Sequence, residues 1–434
     1  MIKLAVVGNP VFHSLSPYVF NIFSQKSDYQ IKYLRISAPS INDAFNFAKE
    51  IGLTGFNVTS PFKTDVLELL DKIDYQAANL NSANTVKFVE NQSTGFNTDY
   101  FGILSTIWDN NFIFNKQKVL ILGAGAAGRT AAFAIRNLNS IVYIWDRNLS
   151  KSQKVSQEVG IQYITTEQVI KDLEHFRYII STIPQNSEIL SQLNFSEKNI
   201  IFDTIYHNSF FQKNQTQFGY QLISGERWLI NQASLSFEIF IGHKPKNLPL
   251  VQDLQKVKKE KHKSFILLGF SGSGKTTIGK QVAKNLGADF YDIDSLIEQK
   301  LNKSIKEIFE NEGEAYFRQI ENQILSKISQ EVSSNSTSKT IIISAGGGIL
   351  SNQDNLKYIH QLGFSIWMYS PIESCLYRLK NQNNRPLIKD YQSALELYNS
   401  RKDDYFLHTN GIFLNTTNES NAVTRLTNEL ARLI

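Results

Sequence analysis

The chain has 434 residues, 42% of them apolar and 20% charged, with a net charge of +5. That length holds two or three domains, each able to bury a core. So small a charge gives no strong argument for nucleic acid as a partner while leaving anionic substrates comfortable, and the single cysteine, Cys375, excludes a disulfide framework and multi-cysteine metal sites and fits a reducing compartment. No run approaches the ~20 apolar residues of a membrane span, and Met1-Ile2-Lys3 leads directly into a strand-like run with no apolar signal core, so the sequence reads as cytoplasmic.

Short β-type runs alternate with helical patterns, which predicts an α/β protein with parallel sheets. Strands are expected at Lys3–Val7, Ile31–Ile36 and Gly55–Val58, with helices at Pro17–Gln25, Ile41–Glu50 and Pro61–Leu70. A second α/β block opens at Val119 and continues through Ile141–Trp145, Tyr178–Ser181 and Ile200–Asp203; a helix at Glu226–Ile241 closes it. Residues 243–263 carry seven lysines, Pro245 and Pro249, and read as a basic linker, partly helical. It serves as a solvated tether or as an electrostatic guide for anionic intermediates. A new unit starts at Ser264, and Glu331–Lys339 is a surface loop within it.

Two glycine loops of different kinds follow apolar runs. Gly123-Ala124-Gly125-Ala126-Ala127-Gly128, after Val119–Leu122, suits a dinucleotide pyrophosphate on a helix N-terminus. Asp146 ends the next strand eighteen positions after Gly128, where a carboxylate accepts hydrogen bonds from the adenosine ribose and repels a 2′-phosphate; Arg147 beside it does the opposite, so both NADH and NADPH stay open, with appreciable use of NADH expected. Gly269-Phe270-Ser271-Gly272-Ser273-Gly274-Lys275-Thr276 suits a nucleoside triphosphate, with Lys275 for the phosphates and the Thr276 hydroxyl for magnesium.

In the first block, Ser14 and Ser16 precede a helix with Pro17 at its start and are placed to bind a carboxylate. Lys63 follows a strand end beside Asn57 and Thr59, and Asn84-Thr85 and Asn97-Thr98-Asp99 come next. Each alone is equally a capped turn; together they describe a site for a polyol carboxylate. The set Gly8-x-Pro10…His13-Ser14-x-Ser16-Pro17, Asn57-Val58-Thr59-x-Pro61-x-Lys63, Asn84-Thr85 and Asn97-Thr98-Asp99 resembles shikimate dehydrogenase, and the resemblance runs over 1–242 through Ser181-Thr182-Ile183-Pro184, Asp203-x-x-Tyr206 and Gly225…Gln232-Ala233. It implies a substrate domain of residues 1–103 completed by 226–242, and a Rossmann domain of 104–225. It also implies substrate binding by Ser14, Ser16, Thr59, Asn84, Tyr206 and Gln232, catalysis by Lys63 and Asp99, and cofactor binding by Gly123, Gly125, Ala126, Gly128, Asp146, Arg147 and Gly225. Departures are Asp146-Arg147-Asn148 where the family usually reads Asn-Arg-Thr, Phe20 where a histidine usually precedes the asparagine, and Trp228 where methionine is common.

Beyond the second glycine loop Asp292 and Asp294 stand at the end of the next strand, two carboxylates at i and i+2 that point the same way, toward the metal and acceptor region. Gly313-Glu314-x-x-Phe317-Arg318, Ala345-Gly346-Gly347-Gly348, Arg385-Pro386-Leu387 and Arg401-x-x-x-Tyr405 follow. This constellation resembles shikimate kinase over 264–434, which implies an adenylate-kinase-like P-loop fold. The resemblance assigns nucleotide binding to Gly272, Ser273, Gly274, Lys275, Thr276 and Thr277, and Mg²⁺ to Thr276 and Asp292. Asp294 would take the acceptor hydroxyls, Arg318 and Arg401 the substrate carboxylate, Gly346, Gly347 and Gly348 the ring, and Arg385, on a lid, the transferring phosphoryl group.

The two resemblances imply one enzyme for consecutive steps. 3-Dehydroshikimate would be reduced with NADPH or NADH to shikimate, which ATP and Mg²⁺ would convert to shikimate 3-phosphate. The partners expected are these small molecules, with no nucleic acid and no membrane; a second copy of the chain stays open as a homodimer. A quinate/shikimate dehydrogenase fused to a kinase is the alternative enzyme. A binding protein on inactive domains is the alternative class, against which the intact Lys63, Asp99, Lys275 and Asp294 argue.

Overall fold

Runs of β-branched and aromatic residues, most of them followed by a helix, assemble into two sheets. The computed structural model describes residues 1–25, 27–206, 209–257, 261–334, 339–379 and 390–434. A parallel six-stranded sheet runs in the order Gln221–Ile223, Ile200–Asp203, Tyr178–Ser181, Lys118–Leu122, Ile141–Trp145, Gln162–Tyr163. The chain winds outward one way from Lys118–Leu122 and then the other, so the Gly123–Gly128 loop lies at the switch point where such sheets bind ligands.

The second sheet has eleven strands, in the order Asp289–Asp292, Ile341–Ser344, Ser264–Leu268, Phe364–Tyr369, Gly411–Leu414, Ile31–Ser37, Ile2–Gly8, Gly55–Val58, Thr85–Val89, Gln92–Phe96, Lys72–Ile73. The first five belong to the C-terminal unit and the last six to the N-terminal one. They join where Gly411, Ile412 and Phe413 pair in parallel with Arg35, Ile36 and Ser37. Two edge strands, each an open row of N–H and C=O groups, thus close on one another. The buried core is shared: Phe47, on the N-terminal unit's helix Ile41–Glu50, packs against Trp367 and Tyr369 at ring-centroid distances of 5.5 and 4.5 Å.

Three sequence expectations need correcting. The sheet is not parallel throughout: Thr85–Val89 runs antiparallel to Gly55–Val58 and forms a hairpin with Gln92–Phe96. The turn residues Glu90 and Asn91 both have positive φ, +48° and +65°, the geometry of a two-residue hairpin turn, without the Asn-Gly signature that advertises one. Residues 61–64 form turns, and the helix after them is a short 3₁₀ segment, Asp65–Leu69. Asp292 ends its strand and caps the helix Ile293–Leu301, accepting from Ser295 N at 3.0 Å, so Asp294 stands in a first helical turn and not on the strand.

In the basic stretch, Val251–Val257 is helical with Leu254 fully buried, and His262 N donates to Leu433 O at 3.0 Å. The Glu331–Lys339 loop begins inside the helix Gly313–Ser333; 335–338 lie outside the described residues, as does Arg385. Among the described residues no helix is long and apolar enough to cross a membrane.

Candidate active sites

The first site is a cavity of about 130 Å³ lined by Ser14, Ser16, Asn57, Thr59, Lys63, Asn84, Asp99, Tyr206, Gly225, Trp228 and Gln232, with Val6, Val58 and Leu229 as apolar wall. Asp99 reaches it because Asn97 caps the helix Thr98–Asp109 through Tyr100 N, which sets Asp99 in the first turn. Lys63 Nζ donates to Asp99 Oδ2 at 2.6 Å, and the two side chains are only 16% and 6% exposed. The other wall is the helix Gly225–Ile241. It packs on Thr98–Asp109 so closely that a Cβ on Gly102 would sit 2.8 Å from Gln232 Cβ and 2.9 Å from Trp228 Cδ1. Trp228 Nε1 donates to the Asp99 carbonyl at 3.2 Å.

A buried polar network fixes this wall. Asn84 Nδ2 donates to Thr98 Oγ1 at 2.9 Å and its Oδ1 accepts from Thr98 N at 2.8 Å; Asn57 Nδ2 donates to Thr85 Oγ1 and Ser236 Oγ, each at 2.9 Å. Buried polar groups this fully satisfied lock side-chain positions. Burial raises the Tyr206 hydroxyl above the ordinary tyrosine range, so it stays protonated.

A cavity of about 600 Å³ adjoins the Gly123 turn and is lined by Gly123, Gly125, Asp146, Arg147, Lys151, Thr182 and Ser187, among others. The glycines fit a dinucleotide. Gly123 has φ +106°, a Cβ on Gly128 would lie 1.8 Å from Gly123 O, and the side of Gly125 faces open space. Asp146 is less free than its spacing implies: Oδ2 accepts from Ala124 N and Oδ1 from Asn148 N, both at 2.9 Å. The carboxylate braces the glycine loop, while Arg147 and Lys151 supply the cationic lining.

The third site surrounds Gly346–Gly348. A Cβ on Gly348 would lie 2.3 Å from Arg318 Nη2 and 3.0 Å from Arg401 Nη2; one on Gly346 would lie 3.0 Å from Asp294 Oδ1 and 2.9 Å from Glu321 Oε1; one on Gly347 would lie 3.2 Å from Ser271 N. The glycines thus let two guanidinium groups, two carboxylates and the phosphate loop converge. Arg401 Nη1 donates to Gly347 O at 3.1 Å, and Arg318 pairs with Glu321 at 2.9 Å and Glu314 at 3.0 Å. Glu321 is fully buried, and burial pushes its carboxyl up to about 7, against the pull of Arg318. In the phosphate loop Gly269, Gly272 and Gly274 all have positive φ. Lys275 Nζ donates to Gly269 O at 2.8 Å and Phe270 O at 2.9 Å. Thr276 Oγ1 donates to Asp292 Oδ2 at 2.6 Å and lies 3.0 Å from Ser344 Oγ. These hard oxygen donors at a phosphate loop fit Mg²⁺, which takes few protein ligands when phosphates supply the rest.

Residues 6–86 match the model of the shikimate dehydrogenase substrate binding domain, 113–204 that of the alanine dehydrogenase/PNT C-terminal domain, and 271–431 that of shikimate kinase. A shikimate dehydrogenase (NADP(+)) of Methanococcus vannielii is 31% identical over 264 residues, 56% of this chain and 93% of the relative. A shikimate kinase of Persephonella marina is 37% identical over 144 residues, 33% of this chain and 84% of the relative. The chain belongs to the shikimate dehydrogenase family in its first part and the shikimate kinase family in its second. It is an oxidoreductase and a phosphotransferase in one polypeptide. The crystal structure of shikimate 5-dehydrogenase from Thermus thermophilus, in complex with NADP(H) and shikimate, superposes with a TM-score of 0.52 and 26% identity, covering 60% of this chain and 99% of that one. The Aquifex aeolicus shikimate dehydrogenase gives 0.53 and 26%, covering 59% and 97%.

In the dehydrogenase unit one cavity gathers Ser14, Ser16, Thr59, Lys63, Asn84, Asp99, Tyr206, Gly225 and Gln232. In the kinase unit Asp294, Arg318, Gly346, Gly347, Gly348 and Arg401 converge. Sequence reading passed over Glu321 and Ser344; Lys151, expected to add to the binding of a 2′-phosphate if its helix turned it inward, does line the cavity beside Arg147. Glu321 stands three residues after Arg318, one helical turn on, and that spacing was the available signal; Ser344 had none, since its hydroxyl meets Thr276 only through strand pairing.

Proposed function

We propose that the dehydrogenase unit reduces 3-dehydroshikimate to shikimate with NADPH, and that the kinase unit phosphorylates the 3-hydroxyl of shikimate with ATP. The observation that carries this is the pairing of two separate sites built for the same kind of molecule. One sets the Lys63–Asp99 ion pair among hydroxyls and amides, and the other sets two arginines and two carboxylates around a glycine turn.

In the first site Ser14 and Ser16 take the carboxylate, and Asn84, Thr59 and Gln232 take ring hydroxyls. Bound NADPH supplies the hydride. Lys63 faces the ketone oxygen, stabilises the alkoxide that develops and gives it a proton; Asp99 holds the ammonium and accepts from a neighbouring hydroxyl. In the second, Arg318 and Arg401 grip the carboxylate and Asp294 takes the proton of the attacking 3-hydroxyl as its oxygen bonds to the γ-phosphorus and the bond to the β-phosphate oxygen breaks. Mg²⁺, when held by Thr276 and Asp292, neutralises charge on the phosphates. Lys275, now turned onto the loop carbonyls, swings to the phosphates.

NADPH is the favoured cofactor because Arg147 and Lys151 line the adenosine end while Asp146 is committed to backbone N–H groups. The test is full-length protein given 3-dehydroshikimate, NADPH, ATP and Mg²⁺. NADPH oxidation followed by formation of shikimate 3-phosphate supports the reading. NADPH oxidation without phosphorylated product, or the reverse with shikimate supplied, defeats one half of it.

A further inference from the structure

The loop that carries Ser14 and Ser16 is built against the kinase unit. It leaves the strand Ile2–Gly8 and turns at Val11, whose carbonyl accepts from Ser14 N at 2.9 Å. The N–H groups of Val11 and Phe12 point away from the dehydrogenase to Glu429, on the last helix of the kinase, Glu419–Leu430. Val11 N lies 3.0 and 2.9 Å from the two carboxylate oxygens, and Phe12 N lies 2.8 Å from Oε2. Glu429 is fully buried. Such a carboxylate is expensive to desolvate and persists only where its partners hold it.

Two further contacts reach the same loop. The Phe12 ring lies tilted against Phe364, with centroids 5.4 Å apart, and so close to the strand Gly411–Leu414 that a Cβ on Gly411 would come within 2.9 Å of it. Arg35 Nε donates to the Ser14 carbonyl at 2.9 Å, its Nη1 donates to Asn410 O at 3.3 Å, and its guanidinium lies over Phe364 at 5.6 Å. Glu429, Phe364, Asn410 and Gly411 all come from the kinase. The loop they fix presents the two hydroxyls, 3.2 Å apart, to the dehydrogenase cavity.

We propose that Glu429 is a positioning residue for the dehydrogenase: through the Val11 and Phe12 N–H groups it sets Ser14 and Ser16, so the kinase unit sets the dehydrogenase's affinity for its substrate's carboxylate. This rests on the reading that Ser14 and Ser16 hold that carboxylate. The experiment measures both activities in the full chain for the parent, Glu429→Ala, Glu429→Gln, Phe364→Leu and Ser14→Ala. Glu429→Ala should raise the dehydrogenase KM for shikimate about tenfold, part of the worth of hydrogen bonds to a charged group. The kcat should change little, and so should the kinase KM for shikimate and for ATP. Glu429→Gln keeps one acceptor for both N–H groups and should restore most of the affinity. A role confined to packing would lower kcat in both reactions through a smaller folded fraction and leave KM unmoved. If Glu429→Ala fails to fold, Phe364→Leu carries the test, with a smaller rise in the same KM. An unchanged KM in whichever of Glu429→Ala and Phe364→Leu fold, beside a raised KM in Ser14→Ala, overturns the inference alone. An unchanged KM in Ser14→Ala overturns the site reading, and this inference with it.

Discussion

At the scale of single residues, the ion pair of Lys63 and Asp99 bears most of the proposed redox chemistry. Lys63→Ala should lower 3-dehydroshikimate reduction by about 10²–10⁴-fold, the range for a lost proton donor, and leave phosphorylation of supplied shikimate near normal, since Lys63 touches only the first site. Equal loss of both activities would sink the separation of the two sites. In the proposed function the cofactor choice rests on Arg147 and Lys151, which line the same cavity. Arg147→Ala should reduce kcat/KM for NADPH by about tenfold or more, as a charge-assisted contact to a 2′-phosphate is worth about 1.5–3 kcal/mol, and should leave NADH nearly unchanged. Equal losses for the two cofactors would place Arg147 away from that phosphate.

Glu321 makes stability depend on pH. Burial raises its carboxyl to about 7, so the folded chain keeps a proton that the unfolded chain loses in the ordinary carboxylate range. Its contribution is present at acid pH and is lost as pH rises through about 7. From pH 5 to 8, Tm should therefore fall more in the parent than in Glu321→Gln. Parallel curves would show that Glu321 ionises normally.

At the scale of elements, turns and helix starts position the chemistry. Gly348 has φ −112°, which any residue adopts, so the need for glycine there is one of space alone. Gly348→Ala drives a methyl group into Arg318 and Arg401. The kinase KM for shikimate should rise at least tenfold while dehydrogenase kinetics stay unchanged; an unaffected kinase KM would remove the arginines from the carboxylate site. Elements with strong local signals were legible: Gly55–Val58, Ile41–Glu50, Ile141–Trp145, Tyr178–Ser181 and Ile200–Asp203 stand where periodicity put them. The hairpin at Glu90-Asn91 was not, because Glu90 is a residue that rarely takes positive φ and the glycine usual in such a turn is absent. Asp294 was misplaced by two positions' worth of geometry: the strand stops at Asp292 because that side chain caps the following helix.

At the scale of the molecule, the basic stretch 243–263 suggested a tether whose cutting frees two active halves. The continuous sheet argues otherwise. Separation would expose both edge strands, unpair Lys3 from Asp403 (2.7 Å) and strand Glu50, which accepts hydrogen bonds from Tyr369 and Tyr398 of the kinase. A protease site inserted in that stretch, once cut, should leave the halves migrating as one particle on gel filtration with both activities intact. Halves that separate and stay soluble would show that the shared sheet is dispensable.

The sequence by itself determined the two chemistries. Glycine loops after apolar runs, one of them ending in Gly274-Lys275-Thr276, are local signals of nucleotide binding, and they stay readable wherever the segments end up. Only the tertiary structure decided how the units meet. Val11, Phe12 and Arg35 carry no mark of Glu429, Phe364 and Asn410, which lie more than three hundred residues away along the chain. Edge strands pair through backbone groups that every residue carries, and a buried carboxylate finds amide N–H groups without any side-chain code, so nothing in the composition of either edge announces its partner.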